Sequence, residues 1–187
     1  MLKKHLKCAL IGGFIIFVWG LFSWMVFPWH QRCLKKFTNE TEVAKVITNN
    51  APKSGVYILP NTFSYDEGTS HQEMATGVEM IERGPFVFAS IQTHGIGKAS
   101  LKPFIIALII QIMGAFFVTW MLLKAKNLAF KKQVGFVTGF GLSVGVLGQF
   151  PEWNWWGFPY EYVLINVLDL TIGWFLAGLA IAKILKK

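Results

Sequence analysis

At 187 residues, 53% hydrophobic and 15% charged, the chain is too rich in apolar side chains to be a disordered tail and long enough to bury a sizeable core. Its formal net charge of +8 is sorted by side: Lys3, Lys4, Lys7, Lys124, Lys126, Lys131, Lys132, Lys183, Lys186 and Lys187 stand at one end of four apolar stretches with no Asp or Glu among them. At the other end Arg32, Lys35, Lys36, Lys45, Lys53, Arg83, Lys98 and Lys102 are nearly balanced by Glu40, Glu42, Asp66, Glu67, Glu73, Glu79, Glu82, Glu152 and Glu161, so the charge marks membrane topology by the positive-inside rule and excludes a nucleic-acid footprint.

The expected fold class is mainly α, a four-transmembrane-helix bundle with a small α+β extracytoplasmic domain between helices 1 and 2. About 20 apolar residues cross a ~30 Å hydrocarbon core, and residues 8–28, 103–123, 134–150 and 163–184 qualify. Residues 1–28 are the cytoplasmic N-terminus and first span. Lysines precede this span as they precede a secretory signal, but its outer end, Phe22 to Trp29, has no small-residue cleavage site, so it reads as an uncleaved anchor. Trp24, Trp29, Trp153, Trp155, Trp156, Tyr160 and Tyr162 gather at the outer boundary, where amphipathic rings sit at headgroup level. Cys8 and Cys33 fall on opposite faces of the bilayer and cannot form a disulfide with each other.

Residues 29–102 form the outer segment. Asn39 followed by Glu42 starts a helix, with Val43, Val46 and Ile47 as its apolar stripe and an end near Pro52. Gly55 opens a strand, Val56 to Leu59, closed by Pro60. Ser70 and Glu73 have capping-box spacing ahead of Met74, Val78 and Ile81, and Gly84-Pro85 ends that second helix. Phe86 to Gln92 reads as a second strand. The order is α-β-α-β, and a two-stranded sheet whose second strand is apolar on both faces expects cover from elsewhere. Either the membrane and the aromatic loop cover it, or another chain does.

Residues 103–187 hold the last three spans, with a basic cytoplasmic loop at 124–132 and an aromatic outer loop at 151–160. In the third span Gly135 with Gly139 and Gly141 with Gly145 give small-xxx-small spacing, which lets helix backbones approach closely. In the fourth, Asp169 demands a reason, because an aspartate costs ~2.5–3.5 kcal/mol at a helix centre on insertion scales. Asn166, Asp169 and Gly173 share one helical stripe, and Ser23, Gln111 and Ser143 fall at the same depth, so a polar layer is expected to cross the bundle. All four histidines, His5, His30, His71 and His94, lie outside the predicted hydrocarbon spans. Asp169 is therefore expected to be neutral and to donate a hydrogen bond to Gln111 or Ser143.

Two enzyme-like patterns carry little. Gly141-Leu142-Ser143-Val144-Gly145 matches G-x-S-x-G, but the serine is mid-span with no strand-turn-helix around it. Asp66, Glu67, His71, Glu73 and His94 offer ligand chemistry for a divalent cation, yet without a recognised metal spacing. The leading expectation is a non-enzymatic accessory subunit or assembly factor of a larger membrane complex. The alternatives are a small proton- or cation-linked transporter or channel using Asp169, and an outward-facing metal-binding protein or enzyme. No catalytic residue and no cofactor is assigned. The expected partners are the lipid bilayer and either another protein or a second copy of the chain, with no nucleic acid, and the setting that fits is a bacterial inner membrane with both termini cytoplasmic.

Overall fold

The computed structural model of the chain describes residues 2–62, 70–97, 100–125 and 128–186, apart from the side chain of Glu73. In chain order its elements are α1 (Leu2–Val26), α2 (Trp29–Cys33), α3 (Glu40–Asn50), β1 (Gly55–Leu59), α4 (His71–Arg83), β2 (Val87–Ile91), α5 (Lys102–Lys124), α6 (Phe130–Trp156) and α7 (Tyr160–Lys186). The protein is mainly helical, and α1, α5, α6 and α7 are each long and apolar enough to cross a membrane. Only 22–33% of each apolar window is buried inside the protein. The rest of that surface suits lipid and would be untenable against water. By contact the chain divides into two units, residues 1–35 with 100–187, and residues 36–99.

In the first unit α1 packs between α5 and α7, α6 packs along α7, and α5 touches α6 only marginally. The core joins Cys8 and Ile16 of α1, Val118 and Leu122 of α5, Val137 of α6, and Trp174, Ala177 and Ile181 of α7. Glycines set how close these helices come. A side chain at Gly13 would put its Cβ 2.5 Å from the Cα of Ile112, and one at Gly141 would collide with Trp174. At Gly145 the Cβ would stand 3.2 Å from the Cα of Val167, and at Gly173 it would stand 2.9 Å from the Trp19 ring. Gly135 and Gly139 differ from the other pair: no heavy atom lies within 4 Å of a Cβ built there. Their spacing is that of a packing motif, but they face away from the bundle.

The aromatic outer loop expected at 151–160 is shorter than its sequence suggested. α6 continues through Pro151 to Trp156, and Gly157, at φ 69°, caps it in the left-handed region before α7 starts at Tyr160. Proline's fixed φ suits a helix, and the hydrogen bond it forgoes lies in the last two turns.

In the second unit Asn39 caps α3 by accepting a hydrogen bond from the Glu42 backbone N–H at 3.1 Å, as the sequence indicated. Strands β1 and β2 pair antiparallel, with Tyr57 opposite Ala89 and Ile58 opposite Phe88. Among the described residues of this unit only Ala51 and Pro60 are buried. A groove of about 380 Å³ runs between α3 and one face of the sheet, lined by Phe37, Val46 and Ile47 on one side and Tyr57, Val87 and Ala89 on the other.

Candidate functional site

After α1 the chain turns at Phe27-Pro28 into the five-residue helix α2, with the Pro28 carbonyl accepting from the Arg32 N–H at 3.0 Å. The reversal carries His30 back against the end of α1. Its ring is 1% exposed, and Nε2 lies 3.2 Å from Ser23 Oγ and 3.3 Å from Asp169 Oδ2 of α7. Asp169 is therefore paired with a histidine, which corrects the expectation that no cation or imidazole could reach it. The error came from counting depth along the chain: His30 follows the first span in sequence and lies beside that span in space.

Tryptophans complete the site. Trp19 Nε1–H donates to Asp169 Oδ1 at 2.7 Å and also reaches the Asp169 carbonyl oxygen at 3.1 Å. Trp29 Nε1–H donates to Ser23 Oγ at 3.0 Å. Trp24 lies flat on the His30 ring, 4.0 Å between centroids and 6° from parallel, and Trp29 meets it edge-on. Both neighbours of Nε2 are oxygens and one is a carboxylate, so a proton on Nε2 can serve both. Nδ1 is buried, with no partner among the described residues. The constellation Ser23, His30 and Asp169 has the composition of a hydrolytic triad but not its geometry. A triad needs the carboxylate on one ring nitrogen and the hydroxyl on the other, whereas here both sit on Nε2. Ser23 is also fully buried. The arrangement clamps α1 and α2 to α7.

The other residues of the expected polar layer take no part in it. Ser143 is exposed and donates its hydroxyl to the Gly139 carbonyl of its own helix at 2.8 Å, so it offers Asp169 nothing. Gln111 is half-buried and lines a groove between the C-terminal half of α1 and the N-terminal half of α5, with Trp24 on its other wall. Asn166 is half-buried on α7. At the lysine-bearing end His5 is buried as well: its Nε2–H donates to the Phe116 carbonyl at 2.9 Å while its ring stacks on that of Phe116.

Of the five residues considered for a metal, Asp66 and Glu67 lie outside the described residues, as does the Glu73 side chain. His71 and His94 are exposed, and among the described residues no three His, Cys, Asp or Glu side chains come close enough to hold a metal ion. No family model, curated protein or solved structure matches this chain.

Proposed function

We propose that the chain is a non-enzymatic membrane protein, an accessory subunit or assembly factor, whose 36–99 unit engages a partner protein while the four helices hold it in the bilayer. The observation that carries this reading is the groove between α3 and the sheet. Val46 is 55% and Val87 43% exposed there, in a unit whose described residues bury only Ala51 and Pro60. An apolar face of this kind on a small two-stranded unit is stabilised by cover, and the open edges of β1 and β2 offer backbone groups for a further strand. The lysine distribution supports a cytoplasmic placement for both termini and an extracytoplasmic one for residues 36–99, in a bacterial inner membrane.

The His30–Asp169 pair supports a second reading, proton-linked transport, because ionisable side chains inside a bundle commonly mark ion pathways. The packing favours the first. Inward of Asp169, α7 presents Trp174, Ala177 and Ile181 to a core completed by Ile16, Val118 and Val137, and the remaining buried polar side chains among the described residues are His5 and Thr119.

Purification from native membranes in mild detergent followed by native mass spectrometry tests the proposal. A stoichiometric partner is expected, and it is lost when Val46 and Ile47 are both replaced by Asp. A partner retained by that variant removes the groove as its site. Proton uptake into proteoliposomes that depends on Asp169 would replace the first reading by the second.

A further inference from the structure

At the opposite end of the first unit, α1 and α7 leave between them a groove of about 400 Å³ lined by Lys4, Lys7, Lys183, Ile11, Ala180 and Ile184. Three lysines from two helices line it. Among the described residues the ion pairs are His30–Asp169, Lys36–Glu40, Lys45–Glu42 and Arg83–Glu79, so none of these lysines is answered by a carboxylate. Like charges drawn together in this way repel unless something negative joins them. The first turn of α1 adds to the same field, because its N–H groups have no intrahelical acceptor and its dipole is positive there. The floor, in contrast, is apolar and half-buried, made of Ile11, Ala180 and Ile184, and it continues along the membrane-spanning surfaces of both helices.

We propose that this groove binds the headgroup of an anionic phospholipid. The phosphodiester oxygens take the ammonium groups of Lys4, Lys7 and Lys183, and the glycerol end of the acyl chains lies along Ile11, Ala180 and Ile184. Lysine suits this role as a strongly hydrated point charge that meets phosphate without a fixed fork. The floor selects a lipid over a soluble phosphate. A free anion has no use for three aliphatic residues at the entrance to the hydrocarbon, whereas a lipid held at headgroup depth lays its first methylenes there.

The full-length protein in neutral detergent, titrated with short-chain phosphatidylglycerol or phosphatidylcholine and followed by thermal melting and native mass spectrometry, tests the site. Phosphatidylglycerol should raise the melting midpoint and remain bound in the gas phase, and phosphatidylcholine should do neither. The variant K4Q/K7Q/K183Q should lose at least about tenfold in apparent affinity, given that each lysine near an anionic membrane surface contributes a factor of about five. The variant K131Q/K132Q, which removes two exposed lysines of α6, should bind like the parent protein, and K4R/K7R/K183R should retain binding. Equal losses in the α6 variant, an arginine variant as weak as the glutamine one, or an equal shift from phosphatidylcholine would overturn the assignment. So would an equal shift from inorganic phosphate, which would make the groove an anion site with no preference for lipid.

Discussion

Asp169 shows how one side chain can be expensive alone and stabilising in place. Its carboxylate accepts from Trp19 through Oδ1 and faces His30 through Oδ2, so a helix that would resist insertion gains two partners within the bundle. The substitution Asp169→Asn keeps an acceptor for Trp19 and a polar group for His30. Asp169→Leu removes the carboxylate, leaving Trp19 Nε1–H only the main-chain carbonyl of residue 169 at 3.1 Å and His30 Nε2 only Ser23 Oγ at 3.2 Å, at a cost of about 1.5–3 kcal/mol for each hydrogen bond to a charged group that is lost. Thermal melting in detergent should therefore place the Asn variant near the parent protein and the Leu variant well below it. An Asn variant that melts as low as the Leu variant would mean that the negative charge holds the clamp, not the hydrogen bonds. Ser23→Ala is milder: it removes one acceptor for Trp29 Nε1–H and should cost about 1 kcal/mol by the same measurement.

Among the helices, what the sequence made legible is what local chemistry determines. The four spans follow from length and hydropathy, α3 from the Asn39 cap, and the end of α4 from Gly84, at φ 78°, followed by Pro85. The α-β-α-β order from α3 to β2 likewise needs only periodicity and turn residues. The α2 reversal was not legible, because a five-residue helix has no periodic signal and its position depends on what His30 and Trp29 meet after docking. Glycine spacing was legible only in part. Gly141 and Gly145 press on α7 as their interval suggests, whereas Gly135 and Gly139, with the same interval, face open space. The adjacent Gly12 and Gly13, which have no such spacing between them, take the close approaches of α1 to Ile181 and to the α5 backbone at Ile112. A contrast follows that spacing alone would not give. Gly139→Ala should be neutral or stabilise α6 by up to about 1 kcal/mol through helix propensity. Gly13→Ala, which puts a methyl against the α5 backbone, should lower the melting midpoint by several degrees and loosen the α1–α5 seam, with faster hydrogen exchange in the N-terminal half of α5.

At the level of the whole molecule, the lysine asymmetry leads us to expect both termini on the cytoplasmic side. In a variant lacking Cys8 and Cys33, a membrane-impermeant thiol reagent applied to intact cells should modify cysteines placed at Asn61 or Asn154 and spare one at Lys132. Labelling at Lys132 would invert the orientation. The sheet of the 36–99 unit should open readily: amides of Val87–Ile91 should exchange faster than those of α7, and a bound partner should slow them, since two strands alone make a marginal sheet. The bond between Trp19 and Asp169 spans 150 residues of sequence, and that separation orders events during synthesis. α1 and α5 can pair as soon as both have left the ribosome, but the Trp19 indole must wait, unanswered, until α7 is made, and the His30 imidazole has only Ser23 and the tryptophans beside it until then. α7 in turn has to leave the insertion machinery carrying the carboxylate that those two residues receive. The last helix to arrive thus closes the first, and a nascent chain stopped before Tyr160 would present to quality control an open seam of small residues and unpaired N–H groups along α1 that the finished protein never exposes.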